Sequence, residues 1–358
     1  MNLGIAVHQY ARSEGTGGYV VELLPRIARV HRVTLYAARI AAPVPPGVEV
    51  VQVPAIMRRA YSAILTFPVG LRAVRRRHDL FHVQGWISSS ADVVTAHIVM
   101  AAWRAAARAA HVATPLGERA LGPFVQAREA GLLRRARRVI APSAKVRDEI
   151  AQWYGRSDGV VVVHHGFQGA SGVAAATARQ ALGLPPDAII ALFVGDLRKG
   201  FDTALEAVRQ VPGVRLAVVS HSAQRPVMER AERAGMLDRL HWIGALEDTA
   251  PVYDAADFLL HPTIYDSFGL VVAEAMAHGL PAVVTRAAGI AELIRHGESG
   301  WVVDGDPVAG TLAAVRALAQ DAPTRKRLAA GARATAARRS WDDVARETLV
   351  VYDEAARS

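Results

Sequence analysis

Short apolar runs recur along the whole chain and alternate with longer stretches whose apolar positions follow a helical period. In the first half the runs predict strands at Leu3 to Val7, Val33 to Tyr36, Val48 to Val53, Leu80 to Val83, Val93 to Ala96, Val139 to Ala141 and Val160 to Val163. In the second half they fall near Ile189 to Val194, Arg215 to Val219, Leu240 to Ile243, Phe258 to Leu260, Ala282 to Val284 and Trp301 to Val303. Strands alternating with helices predict parallel sheets covered on both faces, so the expected fold is α/β, two doubly wound Rossmann-like domains facing a central cleft. The Gly-rich stretch His165-Gly166-Phe167-Gln168-Gly169-Ala170-Ser171-Gly172 follows one strand and precedes a new helix, which places the linker there. The last segment, Trp341 to Ala356, reads as an amphipathic helix.

Length agrees with this division, because 358 residues exceed one usual core. The chain has no cysteine, which excludes disulfides, thiolate catalysis and cysteine metal sites. Leu3 to Val7 reads as a buried strand rather than a leader, and no apolar run approaches the roughly 20 residues of a membrane span. The expected compartment is the cytoplasm. Charge is unequally shared. Residues 1–168 hold 22 basic against 10 acidic residues, a net +12, and residues 169–358 hold 20 against 23, a net −3. Arg58-Arg59 and the cluster from Arg72 to Arg77 flank the apolar run Ala63 to Leu71. Such a segment fits peripheral contact with an anionic membrane, and equally a solvated Arg-rich helix. Nucleic acid is not an expected partner, since no recognised reading module accompanies the charge.

Chemistry concentrates between His261 and Pro281. Ser267 reads as an N-cap and Gly279 and Pro281 as a stop, so the N–H groups of Phe268, Gly269 and Leu270 would face an anion such as a phosphate at a helix start. Glu274 interrupts an otherwise apolar helix. A carboxylate there needs hydrogen-bond donors, either a ligand's hydroxyl pair or an internal Arg or backbone N–H. Asp266 precedes the cap and can reach whatever occupies the mouth of such a site.

Two further stretches qualify that picture. Phe193-Val194-Gly195-Asp196-Leu197-Arg198-Lys199-Gly200 has the strand, polar loop and helix context of a phosphate site. Lys199 is one of three lysines among 42 basic residues, so a lysine at this loop stands apart from the general use of Arg. Asp304-Gly305-Asp306 spells the Asp-x-Asp of metal-dependent sugar transferases, but before Pro307 it reads as a turn and cap. No metal site is expected, there or at His164-His165. Gly15-Thr16-Gly17-Gly18 after the first strand reads as a loop that can approach a ligand closely, with a helix behind it; its third glycine spacing is wrong for a dinucleotide fingerprint. His97, at a strand end, taken alone reads as a structural hydrogen-bonder.

The acid-Ser-Phe-Gly motif with a second acid eight positions after Asp266 resembles the E-x7-E motif of the retaining GT-B glycosyltransferases of family four. The flanks, Ala255 to Pro262 and Gly289 to Ile294 with Gly297 to Gly300, resemble the same family. The resemblance implies that Asp266 contacts the transferred sugar, that Ser267, Phe268, Gly269 and Leu270 hold sugar and phosphate, and that Glu274 binds the ribose. It gives Lys199 and Arg198 to the diphosphate, Gly17 and Gly18 to the cleft between donor and acceptor, and His97 to the sugar. His97, Lys199 and Asp266 are then the expected catalytic residues. The domains implied are an acceptor-side domain at 1–168, a nucleotide-sugar domain at 169–340 and a helix at 341–358 crossing back to the first. This chain departs from the family with Asp266 where Glu is usual and Asp196 where Arg is usual. The function implied is metal-independent, retaining transfer of a sugar from a nucleotide diphosphate sugar to an acceptor hydroxyl, with no cofactor and with UDP- or GDP-sugars as the expected donors. Two alternatives stay open: a nucleotide-sugar-binding protein weakened in turnover, motivated by those departures, and a dinucleotide-dependent oxidoreductase, argued from the doubly wound pattern alone.

Overall fold

The computed structural model describes residues 1–358 apart from Arg59, Gln168, Ala170 and Ser171, and describes only the backbone of Ala60, Tyr61 and Glu118. Part of the expected linker and half of the Arg58-Arg59 pair therefore lie outside the described residues. The chain divides into two compact units, Met1–Gly166 together with Trp341–Ser358, and Phe167–Ser340.

In the first unit, strands β1 (Asn2–Tyr10), β2 (Arg32–Ile40), β3 (Glu49–Gln52), β4 (Leu80–Gln84), β5 (Val93–Thr95), β6 (Arg138–Ala141) and β7 (Val160–Val162) form one sheet in the order β3-β2-β1-β4-β5-β6-β7. Every pairing is parallel. β4 and β5 are buried at every residue, as expected of strands covered on both faces. β1 runs three residues beyond the predicted end at Val7. The polar pair His8-Gln9 interrupts the apolar run, but Gln9 and Tyr10 still pair with Arg39 and Ile40 of β2. Helices α1 (Gly15–Ile27), α2 (Ala60–Val74), α3 (Met100–Ala109), α4 (Leu116–Arg135) and α5 (Ala144–Tyr154) connect the strands. α1 buries Tyr19, Val20, Leu23, Leu24 and Ile27, one stripe of an amphipathic helix. α5 begins on the Ser143 side chain, which accepts from Val146 N–H, and ends at Gly155 in the left-handed region.

α3 has no capping side chain of its own at Val99. The buried Glu129 of α4 fills that role, its carboxylate accepting from Met100 N–H at 2.8 Å and from the Tyr154 hydroxyl. Burial pushes this carboxyl up from 4.5 to about 7, against the lowering effect of the two donors. The folded state therefore keeps a proton that the unfolded chain has already lost, and stability falls as pH rises from about 4.5 to about 7. Glu129→Gln keeps an acceptor for Met100 and removes the charge. It is expected to abolish this slope and to raise stability at pH 8 by about 1–3 kcal/mol, read from urea midpoints at pH 5 and pH 8.

In the second unit, β8 (Ile189–Val194), β9 (Val214–Val219), β10 (Leu240–Gly244), β11 (Phe258–His261), β12 (Ala282–Thr285) and β13 (Trp301–Val303) form a parallel sheet ordered β10-β9-β8-β11-β12-β13. Its helices are α6 (Ala175–Ala181), α7 (Phe201–Arg209), α8 (Gln224–Arg233), α9 (Ala250–Ala255), α10 (Leu270–Ala277), α11 (Pro307–Gln320) and α12 (Ala322–Ala336). One face of the sheet packs Leu192, Leu259 and Val284 against Val272 and Met276 of α10. The other packs Phe193, Phe258 and Val218 against Phe201, Leu205 and Val208 of α7. Each such side chain contributes about 1.5–3 kcal/mol by leaving water.

The last helix, α13 (Trp341–Arg357), belongs to the first unit, where it packs on α1, β4 and β6. Arg26 to Asp342 (2.7 Å) and Arg138 to Glu354 (3.1 Å) tie down its exposed side. All thirteen strands predicted from the apolar runs occur, in two doubly wound parallel sheets.

Candidate active site

In the second unit the chain builds β8, β9 and β10 in one direction and then returns to place β11, β12 and β13 on the other side of β8. β8 and β11 are neighbours, so the loops after them leave the sheet side by side at the point where strand order reverses. Ligands of doubly wound sheets bind outside the carboxyl ends of strands at this point. After β8, Asp196 caps a single 3₁₀ turn, Leu197–Lys199, by accepting from Arg198 N–H at 2.9 Å. Gly200 follows with φ +101°, and its backbone lies so close to Pro262 that a Cβ there would stand 2.1 Å from the Pro262 carbonyl oxygen. This approach brings the two loops together. Lys199 Nζ donates to Asp266 Oδ2 at 2.8 Å. His261, the last residue of β11, lies with Nε2 3.2 Å from the same oxygen, and Phe268 N–H donates to Oδ1 at 3.3 Å. Burial would raise the Asp266 carboxyl, but the Lys199 charge and the His261 bond hold it well below the usual carboxylate range. The group is ionised and fully engaged.

The helix start differs from expectation. Ser267 is not the N-cap of α10; Gly269 is, with φ +107° and no side-chain cap. The reason lies in how residues 266–268 are held. Asp266 N–H donates to Ala287 carbonyl, Gly289 N–H to Asp266 carbonyl and Ile290 N–H to Phe268 carbonyl, so this segment runs along the loop after β12 and cannot begin a helical turn. Gly269 then turns the chain into α10, whose first residue is Leu270.

Glu274 is half-buried on α10, and its Oε2 accepts from the Tyr253 hydroxyl of α9 at 2.6 Å. The partner is therefore neither an Arg nor a backbone group at this bond. Burial, with the carboxylate beside it, pushes the Tyr253 hydroxyl well above its ordinary value, so it stays a donor. Arg198 turns from this cluster to its own loop, forking onto Asp196 at 2.9 and 3.2 Å. Asp306 caps α11 through Val308 N–H at 2.9 Å and Asp304 pairs with Arg286 at 2.6 Å, the turn and cap read from the sequence.

In the first unit the glycines are not in a loop. Gly15 to Gly18 form the first turn of α1, after the N-cap Glu14. Gly17 is needed there for packing: a Cβ would stand 2.5 Å from the Gln9 carbonyl oxygen and 2.7 Å from that of Ala11. A helix start pressed this closely on the end of β1 tolerates its glycines' low helix propensity. His97 lies two residues past β5, with Nε2 2.9 Å from Gln84 Oε1 and its ring edge-on to Tyr19 at 5.0 Å. Gln84 is buried and its amide Nε2 lies 3.3 Å from His82 Nε2, while His82 Nδ1 reaches the Tyr352 hydroxyl of α13 at 2.7 Å. Burial pushes His97 down to about 3, so the ring is neutral. His165 packs its ring against Tyr19 and Trp341.

Residues 13–168 match the model of Glycosyltransferase Family 4 and residues 188–321 that of Glycosyl transferases group 1. A D-inositol 3-phosphate glycosyltransferase of Streptomyces bingchenggensis is 31% identical over 96% of this chain and 85% of its own length. The chain is a family 4 glycosyltransferase. Its fold is shared with solved structures. Sucrose-phosphate synthase from Thermosynechococcus elongatus superposes with a TM-score of 0.82 at 21% identity, over 99% of this chain and 98% of that one. HepE from Anabaena, solved in complex with UDP-glucose, gives 0.75 at 16% identity, over 99% of each chain. Family membership sets aside the dinucleotide oxidoreductase.

The glycosyltransferase contains two polar residues at this site to which the sequence assigned no role. Tyr253 sits in an ordinary amphipathic stretch 21 residues before its partner Glu274, and only the packing of α9 on α10 joins them. His261 carried a usable signal, a histidine closing the apolar strand Phe258-Leu259-Leu260 at the sheet's switch point.

Proposed function

We propose that this glycosyltransferase moves a sugar from a nucleotide diphosphate sugar to an acceptor hydroxyl, with retention of anomeric configuration and without a metal ion. The observation that carries the reading is the meeting of Lys199 and Asp266 at the strand-order reversal, beside the start of α10. Lys199 brings a compact cation to the leaving diphosphate. Among the described residues, the Gly269 and Leu270 N–H groups have no protein acceptor, and they lie at the positive end of α10 where a phosphate is favoured. Glu274, steadied by Tyr253, takes the ribose hydroxyls, and Asp266 orients the sugar. In the transfer, the bond from the anomeric carbon to the diphosphate oxygen breaks, the bond to the acceptor oxygen forms, and the acceptor proton passes to the departing diphosphate. Asp266 is a poor nucleophile because, even with Lys199 on the diphosphate, His261 and the Phe268 N–H hold its two oxygens. With Asp304 paired to Arg286 and Asp306 capping α11, the cation and helix start carry the diphosphate charge. Arg198 supplies a second cation to the same loop, and the family resemblance alone assigns Gly17, Gly18 and His97 to the sugar and acceptor. The name of the relative from Streptomyces makes a phosphorylated polyol the acceptor to try first.

The test is a panel of UDP-, GDP-, ADP- and TDP-sugars with inositol 3-phosphate as acceptor, read by thermal shift, nucleotide release and the anomeric NMR signal of the product, with and without EDTA. One donor should stabilise the enzyme and be consumed with retention in EDTA. Glu274→Ala should raise the donor Kd by about 10- to 100-fold. Inversion, or loss of turnover in EDTA that added magnesium or manganese restores, would reject the corresponding part of the reading.

A peripheral contact with an anionic membrane is a second proposal, for the outer face of α2. Leu65 and Val69 are 43% and 70% exposed one turn apart, with Ile56 at 56% just before the helix and Arg72 exposed next along the stripe. Part of the neighbouring charge serves the fold instead, Arg76 pairing with Glu49 and Arg75 lying over the Phe81 ring. Among the described residues no helix is long and apolar enough to cross a membrane. Co-sedimentation with phosphatidylglycerol vesicles but not phosphatidylcholine vesicles, weakened by Val69→Asp, is expected; equal sedimentation with both rejects the contact.

A further inference from the structure

We propose that His261 is a positioning residue that holds Asp266 in place when an arriving donor draws Lys199 away from it. The inference rests on the donor site proposed above. Three donors meet the Asp266 carboxylate, and they differ in how firmly each is fixed. The Phe268 N–H stands at the long distance of 3.3 Å. Lys199 is closest, at 2.8 Å, but its side chain is 37% exposed and sits on a flexible four-carbon stem. A diphosphate carries more negative charge than one carboxylate and competes directly for that ammonium. His261 is different. It is 1% exposed, fixed at the end of β11 between strands, and bonded to the oxygen that Lys199 also uses.

Once Lys199 turns to the diphosphate, Asp266 Oδ2 loses its strongest partner in a site where the carboxylate is nearly withdrawn from water. An ionised carboxylate left so is costly, and it would move toward solvent or take up a proton. The His261 bond survives the exchange and keeps Oδ1 and the rest of the group aimed at the sugar. The ring's other edge indicates how it does so. His261 Nδ1 is buried and has no hydrogen-bond partner among the described residues. A proton on Nδ1 would be an unsatisfied buried donor, whereas a bond to the carboxylate needs the proton on Nε2. The Nε2–H tautomer meets both conditions. Phe258, Leu259 and Leu260, which precede it in β11, are all buried and apolar. A histidine as the fourth residue gives up an apolar fit that only a polar partner recovers.

The experiment compares wild type with His261→Leu, His261→Gln and His261→Asn, measuring kcat and KM for the donor found in the panel, Kd for UDP and GDP by calorimetry, and the tautomer by ¹⁵N-histidine NMR. His261→Leu should lower kcat by about 10- to 100-fold, the loss expected for one hydrogen bond to a charged group, with nucleotide Kd unchanged. Gln reaches the carboxylate with an amide N–H and should restore most of the loss; Asn is too short and should not. The signals lost in the His261 variants should report an Nε2–H tautomer, both free and with UDP or GDP bound. A His261→Leu enzyme with kcat within about twofold of wild type overturns the proposal. So does a Gln variant no better than Asn, or an Nδ1–H tautomer. If His261→Leu does not fold, the Gln and Asn pair and the tautomer decide. Wild type that binds neither nucleotide and consumes no donor would instead overturn the donor-site reading, and the His261–Asp266 bond is then judged by whether Asp266→Asn moves the His261 Nε2 signal.

Discussion

Replacing Lys199 by Ala is expected to lower kcat for sugar transfer by about 10²- to 10³-fold, the range for removing one preorganised electrostatic partner from a developing charge. The loss has two parts. The ammonium is the cation that meets the departing diphosphate, and in the free enzyme it is also the shortest bond to Asp266. With it removed, the burial that works against ionisation of Asp266 is opposed chiefly by His261, so the carboxyl rises from its depressed position. The sign of the effect on stability follows. A carboxyl depressed in the folded state contributes stability above its ordinary value of 3.8 and loses it as pH falls through the lower folded value. Lys199→Ala, with the carboxyl nearer or above its ordinary value, lacks this contribution already at neutral pH and has less to lose in acid than wild type. Urea midpoints from pH 3 to 7 should show the largest advantage of wild type above pH 3.8, with the two proteins converging toward the acid end. Lys199→Arg tests whether charge alone suffices. Its wider, planar head on a different stem does not occupy the same point 2.8 Å from Oδ2, and less than full recovery of kcat is expected. Lys199→Ala turnover within about threefold of wild type would remove Lys199 from the chemistry.

Lys199 also marks what a sequence can and cannot disclose. Its loop was legible because the strand Ile189–Val194, the polar turn and the helix at Phe201 follow one another in the chain. Its bond to Asp266 was not, because 67 residues separate the two and only the order β8-β11 in the sheet brings their loops together. The Tyr253–Glu274 bond was hidden in the same way, by helix packing that no local pattern encodes.

Errors in local readings have local causes. Ser267 has the chemistry of a cap, but tertiary bonds to the loop after β12 straighten residues 266–268 and pass the helix start to Gly269. Gly15 to Gly18 read as a loop because glycine weakens a helix by about 1 kcal/mol each. At Gly17 the backbone of β1 leaves no room for a Cβ, so close packing, not turn geometry, selects the residue. The fold survived these errors because central strands such as β8 and β12 are short, almost wholly apolar and buried on both faces, a signal that does not depend on where the neighbouring helices begin.

The same distinction between conformation and close approach makes Gly200→Ala the most damaging small substitution expected in the second unit. Gly200 has φ +101°, its N–H closes the 3₁₀ turn onto the Leu197 carbonyl, and it begins α7. An alanine there costs about 1–2 kcal/mol in backbone strain alone. Its Cβ would also stand 2.1 Å from the Pro262 oxygen and 2.6 Å from the carbonyl carbon, atoms of the main chain that no rotamer change can clear. Overpacking of this kind adds about 1–3 kcal/mol, so the variant should lose roughly 2–5 kcal/mol and several degrees of Tm in the second unit. Gly269→Ala is the informative control. It too has φ near +107°, but the nearest atom to its Cβ is the Ile290 Cγ2 at 3.2 Å, a side chain that can give way. It should therefore cost only the backbone strain. Relief of the Gly200 clash must push the Lys199 loop off the loop after β11, which lengthens the bond from Lys199 to Asp266. Gly200→Ala should thus lose turnover even at temperatures where it is fully folded, whereas Gly269→Ala should leave the Lys199–Asp266 bond in place. Equal loss of Tm in the two variants would mean that the loops separate without cost, and the approach at Pro262 would then not be what holds the site together.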